Sequence, residues 1–231
     1  MIEKSYPLGH GPYRTPPRNV TDSATQGREQ ALATTGSWLS DFICQPNEDV
    51  GRPGPVCPFV GPSLQAGTLR VEVMSGYSKA DAPIIHALIS DMVTMFRETK
   101  WQHSNPTMHA LLFVLPDLPQ QSWSLLDECQ FAVKPTLAEQ GLMLGQFHPE
   151  CTEPAARNND FLVARSPIPM LALRNMAFHD ILFLRHDARC FNAYDQRFGP
   201  AYERHSNIPE LFRQTYAEAK DGFASSGNGT L

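Results

Sequence analysis

The sequence predicts an α/β fold: a layered, mostly parallel sheet of three to five strands with flanking helices and a C-terminal helical extension. Apolar and polar residues alternate over residues 68–74, a pattern typical of a half-buried strand. Residues 109–115 form a continuous apolar run, which suits a strand covered on both faces. Strand-like and helix-like patterns follow each other in turn, and each connection is long enough for a right-handed crossover between parallel strands.

The helices are predicted from apolar residues at helical spacing. Residues 80–98 place such residues on one face, and Asp81 with Pro83 suits the start of a helix. Residues 122–139 have a similar pattern, and Pro135 is expected to kink or end that helix. Further helices are predicted at residues 31–44, 189–198 and 208–223, and further strands at 141–147 and 161–164. Residues 170–184 suit a helix broken near residue 175 or a helix followed by a strand.

The 231 residues are expected to form one globular α/β domain over residues 31–223. Residues 1–30 are rich in proline, glycine, serine and charge, and they predict a flexible arm that cannot bury enough apolar surface to fix one conformation. Residues 224–231 predict a flexible tail. The chain therefore has one folded region, in which a functional site is to be sought.

Charge and composition exclude several classes of function. The net charge of −5 gives no basic excess for phosphates, so no nucleic-acid partner is expected. No apolar run reaches the roughly 20 residues that span a bilayer, so no membrane partner is expected either. The first residues lack the apolar core of a signal peptide, and the five cysteines are widely spaced. These features indicate a soluble protein with reduced thiols in the cytoplasm.

Two residues are predicted to carry catalysis because proline fixes the chain beside them. Cys57 lies in a loop with prolines on both sides of it in sequence, and it could be a nucleophile, a ligand or a buried structural cysteine. His148 follows the third predicted strand, at the edge of the sheet where ligands bind in open α/β folds. A histidine there can act as a general base for a nucleophilic cysteine, or it can cap the strand through a hydrogen bond.

A metal or haem site is the alternative interpretation of the same region. His148 and Cys151 are close enough in sequence to bind one ion, and His179 could supply a further ligand. A haem iron could instead use His148 or Cys57 as its axial ligand. The sequence has no glycine-rich dinucleotide motif and no P-loop, so no nucleotide cofactor is indicated.

Arginines recur after His148 and suggest a site for an anionic substrate group. A guanidinium can bind a carboxylate or a phosphate through two parallel hydrogen bonds. The predicted substrate-binding residues are Arg157, Arg165, Ser166 and Arg174, although ion pairs with nearby acids would also explain the arginines. The favoured function is an enzyme that modifies a small molecule; the alternatives are a haem- or metal-dependent oxidoreductase and a non-catalytic partner of a biosynthetic enzyme.

Three short motifs occur in order: Cys57-Pro58-Phe59, Phe147-His148-Pro149 and Arg165-Ser166-Pro167. Together they resemble a bacterial group of domains of unknown function over roughly residues 50–190. Residues 153–158 and 174–180 resemble a narrower branch, associated with actinobacterial specialised metabolism. The broader branch has a tyrosine where this chain has Cys151, so the resemblance implies no thiol chemistry at that position, and it implies no particular reaction.

Overall fold

The computed structural model describes residues 22–205 and 207–227, which form two compact units. The first unit contains the described residues up to Gln130 together with Gly145–Arg174. The second contains Phe131–Leu144 and the described residues from Asn175 onward. Residues 1–21 of the predicted arm and residues 228–231 of the predicted tail lie outside the described residues. No helix in the described ranges is both long enough and apolar enough to cross a lipid bilayer.

Four helices begin in the first unit. Helix α1 (Asp22–Trp38) includes the last part of the predicted arm and continues as a π-helical turn over Leu39–Ile43. Helix α2 is Val60–Gln65, α3 is Ala82–Glu98 and α4 is Ser124–Glu139. The Asp81 side chain caps α3 by accepting a hydrogen bond from the Ile84 amide, as its sequence predicts. Helix α4 continues through Pro135 instead of ending there.

The sheet contains four strands: β1 (Leu69–Val73), β2 (Ala110–Val114), β3 (Leu142–Phe147) and β4 (Met170–Asn175). Their spatial order is β1-β2-β4-β3. Strands β1 and β2 are parallel, with Val71 opposite Leu112, whereas β4 is antiparallel to β2, with Ala172 opposite Leu112. The predicted α/β class, the strand number and the flanking helices are confirmed.

The sheet is mostly antiparallel, with one parallel pair, where the order of elements predicted mostly parallel strands. The reason is the segment after β3, which returns the chain so that β4 runs against β2. The residues expected to form a strand at 161–164 are bends and turns, and Met170–Asn175 is the strand instead. Short apolar runs of this kind suit a strand or a buried helix equally well, so periodicity did not separate the two.

The core of the first unit lies between α1 and one face of the sheet. Apolar residues from the helix and from the turn that follows it pack against the strands: Ala31, Leu39 and Ile43 meet Leu69, Val71, Leu112, Val114 and Met170. Arg28 on α1 also donates a hydrogen bond to the carbonyl of Val73 at 3.1 Å. This packing fixes the strands whose ends carry the candidate site.

The second unit contains the helical extension that the sequence predicts. Helices α5 (Ile181–Leu184), α6 (Ala188–Arg204) and α7 (Glu210–Gly227) enclose an aromatic core. The rings of Tyr202 and Tyr216 stack with their centroids 3.9 Å apart and an angle of 7° between their planes. The Tyr194 hydroxyl hydrogen-bonds that of Tyr202 at 2.8 Å.

Candidate functional site

The site is built on the turn that follows β3. The His148 carbonyl accepts hydrogen bonds from the Cys151 amide at 3.1 Å and from the Ser166 amide at 3.4 Å. The Ser166 hydroxyl donates to the Ile168 carbonyl at 2.7 Å, and Ser166 is buried. The Arg165-Ser166-Pro167 motif therefore contributes backbone structure beside His148, and it holds the turn that positions Cys151.

Helix α4 adds a carboxylate to this turn. The Oδ2 atom of Asp127 lies 2.8 Å from Nε2 of His148. The Cys151 thiol donates to the other carboxylate oxygen, Oδ1, at an Sγ–Oδ1 distance of 3.6 Å. One carboxylate thus joins the imidazole and the thiol, and the three side chains form a compact group that we call the Asp127–His148–Cys151 cluster.

The cluster is buried except on the side of its carboxylate. His148 is 3% exposed and Cys151 is fully buried, whereas 39% of the Asp127 side chain is exposed. Burial raises the pKa of the Cys151 thiol to about 11; the Glu153 amide opposes this by donating to the sulfur, and the charge of Asp127 adds to it. Without a bound cation, the thiol is therefore neutral at physiological pH and is a poor nucleophile.

The second ring nitrogen of His148 has no hydrogen-bond partner among the described residues. Its Nδ1 atom is buried, and the ring lies beside Trp123, with the centroids 6.1 Å apart. A neutral imidazole carries one ring proton. While Nε2 donates to Asp127, Nδ1 keeps a buried lone pair with no donor, which is an unfavourable arrangement. One of the two ring nitrogens therefore forms no hydrogen bond with the described part of the protein.

The cluster has the composition of a metal site. One potential ligand atom from each residue lies within 4.8 Å of the other two. Imidazole nitrogen, thiolate sulfur and carboxylate oxygen are the ligand atoms that bind Zn²⁺ in proteins. Structural zinc sites use four protein ligands, whereas catalytic sites use three and leave one position for water or substrate. Three ligands match the number in the second kind of site.

The predicted metal ligands are placed together only in part. His148 and Cys151 belong to the cluster, but Asp127 supplies its third group. His179 lies in the second unit, where its Nε2 atom is 3.9 Å from the adjacent Asp180 carboxylate. Spacing along the chain suggested His148 and Cys151, whereas Asp127 is 21 positions before His148 and lies on a helix. The one sequence feature that could have indicated Asp127 is its place on the predicted helix that precedes β3.

The structure gives Cys57 different neighbours from those of His148. The Cys57 amide donates to the Ile43 carbonyl at 3.0 Å, and Cys44 lies close enough to interact with its thiol. In the described part of the chain, no hydrogen bond or ion pair joins Cys57 to His148. The pairing of a nucleophile with a base at these two residues stays a prediction.

The predicted arginines are dispersed over the first unit. Arg157 and Arg165 are exposed in the segment between β3 and β4. Arg174, at the end of β4, is half-buried with its guanidinium 5.5 Å from the centre of the Phe59 ring. A cation–π contact of this kind stabilises the Cys-Pro-Phe segment against the sheet. Arg165 is next in sequence to Ser166, whose amide donates to the His148 carbonyl.

Comparison with known proteins identifies a family and no characterised relative. Residues 32–209 match a family that is described as a domain of unknown function. No curated protein matches the chain, and no solved structure does. The matched range contains every residue of the cluster, so an assignment of function depends on the chemistry of the site.

Proposed function

The chain belongs to the family of domains of unknown function DUF6875, and we propose that it is a metal-dependent enzyme whose Asp127–His148–Cys151 cluster binds a divalent transition-metal ion. The observation that carries the proposal is the convergence of three different ligand types within 4.8 Å. A further feature supports it: the carboxylate side of the cluster reaches solvent.

The mixed ligand set favours Zn²⁺ or a similar borderline ion. Mg²⁺ and Ca²⁺ prefer oxygen ligands, whereas a thiolate and an imidazole select zinc, cobalt or other later transition metals. A cation would also replace the proton of the Cys151 thiol, because a coordinated thiol is bound as the thiolate. The buried sulfur would thereby obtain a partner for its negative charge.

Each residue would have a separate task at such a centre. Cys151 and His148 are held by the turn after β3, so they would fix the position of the ion. Asp127 would close the set from α4 and would face solvent, from which a small-molecule substrate can approach. A bound ion would supply Lewis-acid activation of water or of a substrate oxygen. Arg165, exposed in the same connecting segment, is the candidate to bind an anionic group of the substrate.

Cytoplasmic localisation and a substrate from specialised metabolism are part of this proposal. The five cysteines are free, which agrees with a reducing compartment. The haem alternative uses a different geometry, because a haem iron takes one or two protein ligands and needs room for the porphyrin.

Cobalt titration tests the metal site directly. The full chain, stripped with a chelator under reducing conditions, is titrated with Co²⁺ and followed by absorption spectroscopy. We expect a thiolate-to-cobalt charge-transfer band and a ratio of one ion per chain. Cys151→Ser should abolish the band, and Asp127→Asn and His148→Ala should each weaken binding by roughly a hundredfold.

Cys129→Ser is the matched control. Cys129 is buried on α4 two positions from Asp127, but its thiol points to the Ala82 carbonyl, at 3.8 Å, and is not part of the cluster. The band should be unchanged in this variant. Absence of cobalt binding by the wild-type chain, or a band that persists in Cys151→Ser, would refute the proposal. A haem spectrum in freshly purified protein would instead support the haem alternative.

A further inference from the structure

The Cys-Pro-Phe motif contains a cysteine that the proposed metal site does not use. Its chain segment runs antiparallel to the segment that follows α1. Pro46 and Pro55 form a β-bridge, the Asn47 amide donates to the Gly54 carbonyl at 3.2 Å, and the Val56 amide donates to the Gln45 carbonyl at 3.0 Å. Cys44 and Cys57 each lie two positions from this bridge, one on either segment, and Cys44 ends the π-helical turn.

Disulfides span Cα separations of about 4.4–6.8 Å. The Cys57 amide also donates to the Ile43 carbonyl at 3.0 Å, which holds the two chain segments together beside the cysteines. This hydrogen bond joins Cys57 to the residue that precedes Cys44, so the two cysteines lie on adjacent segments of the backbone.

The two thiols interact, and both reach the surface. Burial raises the pKa of the Cys44 thiol, and the nearby Cys57 raises it further. Cys44 and Cys57 are half-buried, whereas the other three cysteines of the chain are buried. A small oxidant can therefore reach this pair more easily than Cys129, Cys151 or Cys190.

The loop between the two cysteines is already ordered. The Asn47 side chain accepts a hydrogen bond from the Asp49 amide at 2.8 Å, and Gly51 ends the short helical turn with a φ of 76°. The Asn158 side chain donates to the Asp49 carbonyl at 2.8 Å, from the segment that connects β3 to β4. Closure of a disulfide would thus not have to order this loop.

We propose that Cys44 and Cys57 are a redox pair that forms a reversible disulfide when the protein meets a peroxide. The thiolate of one cysteine attacks a peroxide oxygen, the O–O bond breaks, and a sulfenic acid and hydroxide form; the hydroxide takes up the proton that the thiol released and becomes water. The second thiol attacks the sulfenic sulfur, the S–O bond breaks, and a second water molecule leaves with the remaining thiol proton. Each sulfur loses one electron, and the peroxide receives both.

Non-reducing peptide mapping tests the linkage. The full chain is treated with a small excess of hydrogen peroxide, remaining thiols are alkylated under denaturing conditions, and the protein is cleaved before aspartates. Cleavage before Asp49 separates the two cysteines, so a disulfide yields one cross-linked peptide pair. We expect this pair as the main oxidised product, its loss on reduction, and a rise in Tm of roughly 5–10 °C for the oxidised protein.

Single serine variants distinguish this pair from other cysteines. Cys44→Ser and Cys57→Ser should each abolish the cross-linked peptides, whereas Cys190→Ser should retain them. Peptide mapping of the wild-type chain tests the Cys44–Cys57 linkage even if a variant fails to fold. A cross-link that involves a different cysteine, or oxidation of Cys57 to sulfinic acid without any cross-link, would overturn the proposal.

Discussion

The carboxylate of Asp127 bridges two side chains: its Oδ2 atom lies 2.8 Å from Nε2 of His148, and its Oδ1 atom accepts from the Cys151 thiol. A cation that binds the Cys151 sulfur takes the place of the thiol proton. Binding of an ion would therefore displace one proton from the cluster. This relation links metal affinity to pH and leads to the first prediction.

The affinity of the cluster for Co²⁺ should rise as pH increases. The pKa of the Cys151 thiol is raised to about 11, so the metal must displace its proton at any pH below that value. Release of one proton gives about a tenfold rise in affinity for each pH unit. Titrations at pH 7 and pH 8 with a metal buffer measure this slope. An affinity that does not change between these values would contradict thiolate coordination.

A second buried thiol should make the protein sensitive to alkali. Burial, followed by the hydrogen bond to Asp187, raises the pKa of Cys190 from 9.0 to about 12. The folded state holds this proton more tightly than the unfolded state. The resulting stability is complete below pH 9 and is lost as the pH rises from 9 to 12, by about 1.4 kcal/mol for each unit. Urea unfolding of wild type and Cys190→Ala between pH 8 and pH 10.5 should show a smaller loss in the variant.

Substitution of Gly51 should destabilise the first unit. A Cβ atom at this position would lie 2.9 Å from Cβ of Arg157 and 3.0 Å from its carbonyl oxygen, and the φ of 76° is unfavourable for other residues. We expect Gly51→Ala to cost about 2–4 kcal/mol, from strain and from displacement of the Arg157 backbone. Chemical denaturation measures this cost.

Gly67→Ala is the control for strain alone. Gly67 has a similar φ of 65°, but a Cβ atom there would meet nothing within 4 Å. This variant should therefore cost only about 1 kcal/mol. Equal losses in the two variants would show that the close approach of Arg157 to Gly51 makes no separate contribution.

Loss of one hydroxyl should weaken the aromatic core of the second unit. The Tyr194 hydroxyl donates to the Phe178 carbonyl and is hydrogen-bonded to Tyr202 at 2.8 Å. Tyr194→Phe keeps the ring but leaves these buried polar groups without a partner, at a cost of about 1–3 kcal/mol. Thermal unfolding should show a lower Tm, with little effect on cobalt binding. Wild-type stability in this variant would indicate that a water molecule replaces the hydroxyl.

The sequence predicts those parts of the fold that local chemistry determines. Asp81 and Pro83 mark the start of α3 because a cap and an N-terminal proline act within one helical turn. The direction of β4 could not be predicted in the same way. It depends on the path of a long connecting segment and on pairing with β2, which are contacts between residues distant in the chain.

The candidate site likewise has one part that could be predicted from the sequence and one part that could not. His148 and Cys151 share one turn, so their proximity follows from their spacing. Asp127 joins them only because α4 packs beside that turn. The spacing of residues along the chain does not predict this contact. The approach of the Cys57 segment to the segment that contains Cys44 likewise depends on an isolated bridge and on the Cys57–Ile43 hydrogen bond. Isolated bridges have no periodic sequence signature.

The unequal exposure of the cluster also governs how fast an ion could be exchanged. His148 and Cys151 are covered, and the Asp127 side chain is the accessible member of the group. A chelator would therefore approach a bound ion from the side of this carboxylate. Neutralisation of Asp127 would accelerate metal dissociation as well as weaken binding, because it removes the ligand on the accessible side.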